Sequence, residues 1–335
     1  MPYAPLPIIA ADFETRSKAS LKALGGRLYA QHSSTQLLCG VIAWGGVGAW
    51  QFRETLNGKW VFPELRDGGY DLMAHNGAQF DRFVARRLGW PEPRRVIDTA
   101  QLARRAGLPE ASLEWIGENI VGAPKDLEGN KLTKSLSRVS TAKARKGEYA
   151  IDPIPAETMA RVVQYCRLDV EIMVKAWDLY LHHWDHVSDL EDEVLALDTR
   201  VNDRGICFDE PLADAVLKVD ARLAADALAA AGLADPTEIK SNDRFRAHMA
   251  GLGVQIDNAQ KATVEALLDY EGPNEDAVRA LAQARLSGNT IAGGKFIAAK
   301  MTAGADGRVR DGYKYFGAHT GRWSGQKAQL QNLPK

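Results

Sequence analysis

The sequence predicts an α/β domain, a mixed sheet flanked by helices, over residues 1–185, followed by a mainly helical region over residues 186–335. Three observations carry this. Short apolar runs rich in strand formers alternate with helical periodicity in the first half. One long helical pattern then runs from about Ala156 to His183, and beyond His186 the composition turns to Ala/Leu/Asp-rich helices. The last stretch, Gly304–Lys335, is rich in Gly and Arg and reads as strand and loop. A chain of 335 residues fits two domains better than one.

Leu6–Phe13 (LPIIAADF) is a short apolar run ending in acids, which reads as a central strand with Asp12 and Glu14 at its C-terminal end. Gln36–Trp44 and Gly48–Arg53 read as two more strands joined through Gly45-Gly46. Asp71–Ala74 is a further short strand, running through His75-Asn76-Gly77 into a helix from about Ala78 to Leu88. Val96–Thr99 reads as a strand entering another helix. Lys131–Lys146 holds Lys131, Lys134, Arg138, Lys143, Arg145 and Lys146 with no acidic residue between them. It reads as a mobile basic loop, either solvated or in contact with phosphates. Pro155 suits a first helical turn, and Met159, Val162, Val163, Cys166, Val170, Met173, Val174 and Trp177 recur at helical spacing after it. Further helices are expected at Ser188–Asp203, Glu210–Ala231, Ser241–Met249, Ala259–Tyr270 and Asp276–Leu286.

The net charge of -1 means that a nucleic-acid partner has to be argued from local patches. Hydrophobic residues at 45% supply a core. Cys39, Cys166 and Cys207 form no CxxC pair, which argues against a disulfide framework or structural zinc and suits a reducing cytoplasm. No apolar run is long enough to span a membrane, and the N-terminus lacks the features of a signal peptide.

Three constellations carry chemistry. In Asp12-x-Glu14 both side chains share one face of a strand, and two hard oxygen donors suit Mg²⁺ or Mn²⁺. Asn76-x-x-x-Phe80-Asp81 sits where a strand turns into a helix, and Tyr165-x-x-x-Asp169 puts a phenol and a carboxylate on one helical face. Each alone also fits ordinary strand-end or helix-end acids. Together, DFET at Asp12–Thr15, AHNGAQFD at Ala74–Asp81 and YCRLD at Tyr165–Asp169 resemble the DEDDy 3′→5′ exonucleases, in particular the proofreading domain of family A (Pol I-like) DNA polymerases.

The resemblance implies an RNase H-like fold and hydrolysis of DNA from the 3′ end to nucleoside 5′-monophosphates. It also implies two divalent ions, Mg²⁺ or Mn²⁺, one held by Asp12, Glu14 and Asp169 and the other by Asp12 with Asp81 acting partly through water. Tyr165 would orient or help deprotonate the attacking water, while Thr15, Asn76 and Phe80 would support the site and the 3′-terminal nucleotide.

The chain end extends the resemblance. Thr199–Asp209 (TRVNDRGICFD) looks like the segment that opens the thumb of family A polymerases. Gly317–Ser324 (GAHTGRWS) with Gln331–Pro334 (QNLP) resembles the TGR-x-S…LQN-[IL]-P motif at the thumb–palm junction, although Trp323 and Gly325 depart from it. A thumb-like region follows, with Thr320, Arg322, Gln331 and Asn332 as DNA contacts. The chain stops at Lys335, before palm and fingers, so it is expected to lack the polymerase site, as a fragment or a split protein with a phage-like layout. The partners implied are single-stranded 3′ ends, primer–template DNA, and the missing polymerase half or replisome proteins, in the cytoplasm of a bacterial or phage-infected cell. Two alternatives stand: an RNase D-type RNA 3′ exonuclease, which shares the chemistry, and a non-catalytic DNA-binding or assembly module. His182 and His186 at i,i+4 could hold zinc, though a helix C-terminus favouring imidazolium is the plainer account. Gly293-Gly294-Lys295 lacks phosphate-loop spacing and reads as a turn.

Overall fold

The computed structural model describes residues 7–56, 67–137, 154–288, 291–318, 320–329 and 332. By its internal contacts the chain divides into two units, Met1–Gly205 with Arg310–Gln326, and Ile206–Val309 with Lys327–Lys335.

In the first unit, strand β1 (Ile8–Arg16) alternates between two apolar faces. Ile8 and Ala10 join one core, and Ile9, Ala11 and Phe13 the other. Helix α1 (Leu21–Gln31) follows, then β2 (Gln36–Gly46), β3 (Ala49–Leu56) and β4 (Asp71–Ala74). Helix α2 (Asp81–Arg87), β5 (Arg95–Asp98) and α3 (Thr99–Arg105) come next, then α4 (Leu113–Ile116), α5 (Leu127–Ser137), α6 (Ala156–Leu179) and α7 (Asp189–Arg204). The sheet has the order β3-β2-β1-β4-β5. Antiparallel pairing joins β1, β2 and β3, and parallel pairing joins β1, β4 and β5, giving the expected mixed sheet. β4 is buried at all four positions, as suits an interior parallel strand. On one face α6 buries Val162, Val163, Cys166, Val170, Met173, Val174 and Trp177, the stripe read from the sequence. The other face is covered by Ala30 of α1 and by Phe83, Val84 and Trp90 from α2 and its exit.

Several sequence expectations change. Residues 21–31, which show no clear apolar periodicity, form α1, with Ser20 as N-cap accepting from the Ala23 amide. The helix is kinked at Gly25 (φ 78°). A Cβ at Gly26 would lie 1.9 Å from the Gln79 carbonyl oxygen, so only glycine lets α1 approach the loop that leads to Asp81. The basic loop at Lys131–Lys146 is corrected in part: Lys131 and Lys134 belong to α5, because Leu132 and Leu136, four apart, pack on the core. Its remainder, 138–146, lies outside the described residues. The long helix ends at Leu179, and Leu181–Trp184 form a separate short 3₁₀ turn. His182 Nδ1 is 2.7 Å from the Trp177 carbonyl and His186 Nδ1 is 2.6 Å from Asp192, so the two rings have separate partners.

The division between the units falls at Gly205, whereas the composition change lies near residue 185. α7 stays with the first unit through long-range pairs. Arg105 donates to Asp192 at 2.8 Å, Arg82 to Asp203 at 2.6 Å, and Trp323 Nε1 to Asp198 at 2.7 Å. Asn202 exchanges two hydrogen bonds of 3.1 Å with the backbone of Tyr313, which pins the short pair Tyr313–Lys314 and Ser324–Gly325.

The second unit is mainly helical, from Glu210–Ala230 to Ile291–Thr302, with Ile206–Cys207 paired to Arg308–Val309. Phe245, Met249, Val264, Val278, Leu281 and Ala282 form its core. Gly293-Gly294-Lys295, read as a turn, lies inside the last helix. That helix buries Ala299 in a small apolar cluster with Val309 and Ala328, and packing there outweighs the low helix propensity of glycine. Among the described residues, no helix is long and apolar enough to cross a membrane.

Candidate active site

Asp12 and Glu14 stand at alternate positions of β1, opposite Val41 and Cys39 of β2. Both are partly buried, on the side where α6 packs. A register shift follows directly between Glu14 and Thr15 and ends the regular ladder there. α6 brings Tyr165 and Asp169, one turn apart and each 5% exposed. The Tyr165 hydroxyl donates to Asp169. Cys166, between them, donates from Sγ to the Asp12 carbonyl at 3.3 Å and ties helix to strand. Asp81 enters from α2, where it occupies the first turn and is 3% exposed.

Asp98, at the end of β5, holds the loop that delivers Asp81. One carboxylate caps α3 at the Ala100 and Gln101 amides and also accepts from the Asn76 amide at 3.2 Å and the Ala78 amide at 3.1 Å. Asn76 sits in the left-handed region (φ 61°), which asparagine tolerates better than most residues. Asp98 and Lys125 are absent from the residues read off the sequence. An Asp directly before a helical Thr99 is an N-cap signal that could have pointed to Asp98; nothing local marks Lys125.

The electrostatics are those of crowded buried acids. Burial and then the charge of Asp169 push the Asp12 carboxyl up to about 7, against the pull of Cys166 and Lys125. Burial and Asp12 raise Glu14 well above its ordinary value. Burial, Asp12 and Asp98 do the same to Asp81. Burial raises Asp169, while Lys125 and Tyr165 hold it down. Lys125 Nζ lies 3.0 Å from Asp169 Oδ2 and 5.3 Å from the Tyr165 ring centroid.

Asp12 Oδ2, Asp81 Oδ1 and Asp169 Oδ1 are each buried without a hydrogen-bond partner. Such orphaned oxygens are costly, and a divalent cation is the group that would satisfy several hard anionic donors at once. The residues therefore fit a Mg²⁺ or Mn²⁺ site in chemistry. Among the described residues, however, no three His, Cys, Asp or Glu side chains are gathered into a ready ligand set.

The other expected residues are scattered. Thr15 is 6% exposed, with its hydroxyl 3.1 Å from that of Tyr29. Phe80 is half-buried, its ring centroid 6.0 Å from that of Tyr29. The Asn76 side chain is exposed, as are Thr320 and Arg322 in the first unit and Asn332 in the second. Gln331 lies outside the described residues.

No family model matches the chain. Its fold is shared with a DNA polymerase domain: the polymerase domain of Pol1 from M. smegmatis, solved with DNA primer-template and dNTP, aligns with a TM-score of 0.58 and 14% identity over 99% of this chain and 53% of that one. In sequence the chain is similar to the DNA polymerase of Bacillus phage SP02, 28% identical over 246 residues. That match takes in 71% of this chain and 37% of the relative, so the chain spans little more than a third of the relative's length.

Proposed function

We propose that the first unit is a metal-dependent 3′→5′ exonuclease of RNase H-like fold, the proofreading portion of a family A-type DNA polymerase. The second unit is a thumb-like region that holds primer–template DNA. The observation that carries this reading is the set of three buried, unpartnered carboxylate oxygens on Asp12, Asp81 and Asp169. The three ordered motifs and the similarity to a phage DNA polymerase support it.

Asp12, Glu14, Asp81 and Asp169 would hold two Mg²⁺ or Mn²⁺ ions. When bound, such ions supply an activated water and charge compensation on the scissile phosphate. The chain's own residues do the positioning. Burial and then Asp169 push the Tyr165 phenol far above its ordinary value, so it stays protonated and orients water rather than taking a proton from it. Phe80 offers a ring for the terminal base, and Asn76 an exposed amide. Thr320, Arg322 and Asn332 are exposed, which suits contacts to DNA.

Two results check this reading. The first concerns the Tyr165 hydroxyl, which donates to Asp169. Tyr165→Phe keeps the ring and removes only that hydroxyl, and it is expected to lower the rate of nucleotide release by about 10²-fold; an unchanged rate removes the hydroxyl from the mechanism. The second is parallel digestion of DNA and RNA oligonucleotides with Mg²⁺ and with EDTA. DNA is expected to release nucleoside 5′-monophosphates faster, and only with the metal; a preference for RNA favours the RNase D-type reading. The Lys125–Asp169 pair, in which a lysine stands against the carboxylate, favours a second reading, a non-catalytic DNA-binding or assembly module. That reading wins if the protein binds primer–template with Mg²⁺ or Mn²⁺ but releases no nucleotide.

A further inference from the structure

Helix α2 carries Asp81 in its first turn, yet it is only seven residues long and its N-cap, Phe80, makes no side-chain capping bond. A helix this short is marginal without outside support. Phe83 and Val84 anchor it in the core. Arg82, the neighbour of Asp81, reaches Asp203 in the last turn of α7. Its Nη1 and Nη2 donate to the two Asp203 oxygens at 3.1 and 2.6 Å, a forked pair that fixes direction as well as distance.

This pair belongs to a larger network within the first unit. Arg27 of α1 also donates to Asp203, and it donates to Asp311 at 3.3 and 3.4 Å. Arg27 and Arg82 both lie over the Phe83 ring, 4.3 and 4.5 Å from its centroid. Their side chains are 10% and 9% exposed, and guanidinium charges taken so far out of water need carboxylate partners. Asp203 and Asp311 supply them. Arg310 Nε donates to the Asp203 carbonyl at 2.7 Å. Against the upward push of burial, Arg82 and Arg27 hold the Asp203 carboxyl below its ordinary value. Asp203 stands just before Gly205, where the chain leaves the first unit, and Asp311 just after Arg310, where it returns.

We propose that Asp203 is a positioning residue: through Arg82 it fixes the first turn of α2 and with it the Asp81 carboxylate. One network thereby holds both the point where the chain leaves the first unit and the place of a candidate metal donor. Asp81 needs such a hold, because its Oδ1 is buried without a partner and nothing anchors that oxygen directly. Asp203 acts through Arg82, not on the ions. The hold on α2 stands on these contacts; its bearing on metal binding rests on the exonuclease reading.

The test compares the full chain with Asp203→Asn by hydrogen–deuterium exchange in EDTA and by thermal midpoints across a Mn²⁺ titration. Asp203→Asn is expected to speed exchange of the α2 amides about tenfold. It is also expected to raise the Mn²⁺ concentration for half of the midpoint rise about tenfold. Asp203→Glu, which keeps the carboxylate, is expected to keep both near the original values. If Asp203 only docks α7, exchange quickens over residues 189–204 and not in α2, and that result overturns the proposal. Arg82→Gln leaves Asp203 with Arg27 and Arg310, so it breaks the link to α2 in a chain whose α7 stays docked. It is expected to reproduce both changes, and unchanged α2 exchange in it overturns the proposal even where Asp203→Asn does not fold. Because the two residues form one link, the double variant is expected to go no further than either single change; fully additive effects overturn it. Freed α2 amides in Asp203→Asn, with an original chain whose midpoint ignores Mn²⁺, leave the link standing and remove the exonuclease reading. A Mn²⁺ rise with the same half-saturation in every variant removes the link alone.

Discussion

Asp81→Ala and Asp169→Ala abolish nucleotide release in a chain that still folds, and Asp169→Ala lowers its stability because Lys125 and the Tyr165 hydroxyl lose their partner. Each removes a hard donor from the proposed ion site, where charge stabilisation of the transition state is worth several kcal/mol. The corresponding fall in rate is about 10³-fold or more. Neither side chain serves as a core-packing group, and Asp81 and Asp169 each keep one oxygen buried without a partner. The isosteric Asp12→Asn separates the two effects. At pH 8 in EDTA it should melt above the original protein, because an amide replaces a carboxylate that burial and Asp169 disfavour. Near pH 4 the difference should vanish. Thermal midpoints of the three variants beside their nuclease rates check both halves; a variant that keeps the original rate contradicts the site.

The contribution of Asp12 to the stability of the metal-free protein falls as pH rises from about 4 to 7, while His75, lowered to about 3 by burial and then by Lys125, acts the other way below about 6.5. Asp12 titrates at about 7 in the folded chain, against about 3.9 when unfolded. Between these values this carboxyl holds more proton in the folded state than in the unfolded one, so its contribution to stability declines with pH. Glu14 and Asp81, also raised, act in the same direction. Mg²⁺ or Mn²⁺ binds only the folded, deprotonated site, so the rise in melting temperature on adding metal should be larger at pH 8 than at pH 5. For a unit of this size each kcal/mol shifts the midpoint by roughly 2–4 °C. Thermal scans at pH 5, 6.5 and 8, with EDTA or metal, provide the measurement. A gap between the midpoints of Asp12→Asn and the original chain in EDTA that does not widen from pH 5 to 8, or a metal shift that ignores pH, contradicts the placement of the carboxylates.

The parts of the fold legible in the sequence are those with unbroken periodicity. β1, β4 and the stripe of α6 carry uninterrupted apolar patterns, and they position Asp12, Glu14, Tyr165 and Asp169. α1 was hidden by Gly25-Gly26, which are poor helix formers and are required here by a kink and a close approach to Gln79. α5 was hidden by its lysines, although Leu132 and Leu136 carry the inward face. The place of α7 was hidden because what holds it is a set of polar pairs to Arg82, Arg105, Tyr313 and Trp323, far apart in the chain. The candidate site is legible in the sequence as a motif order. The roles of Asp98, which ties the Asn76 loop to α3, and of Lys125, which meets Asp169 across forty-four positions, exist only once the chain is folded.

The most direct test follows single-stranded DNA labelled at its 5′ end, incubated with the full chain and Mn²⁺. The account predicts a ladder that shortens one nucleotide at a time from the 3′ end, stops with EDTA, and is missing with Asp169→Ala. A strand that stays intact, shortens from the 5′ end or is cut internally, or a ladder that Asp169→Ala still produces, would contradict it.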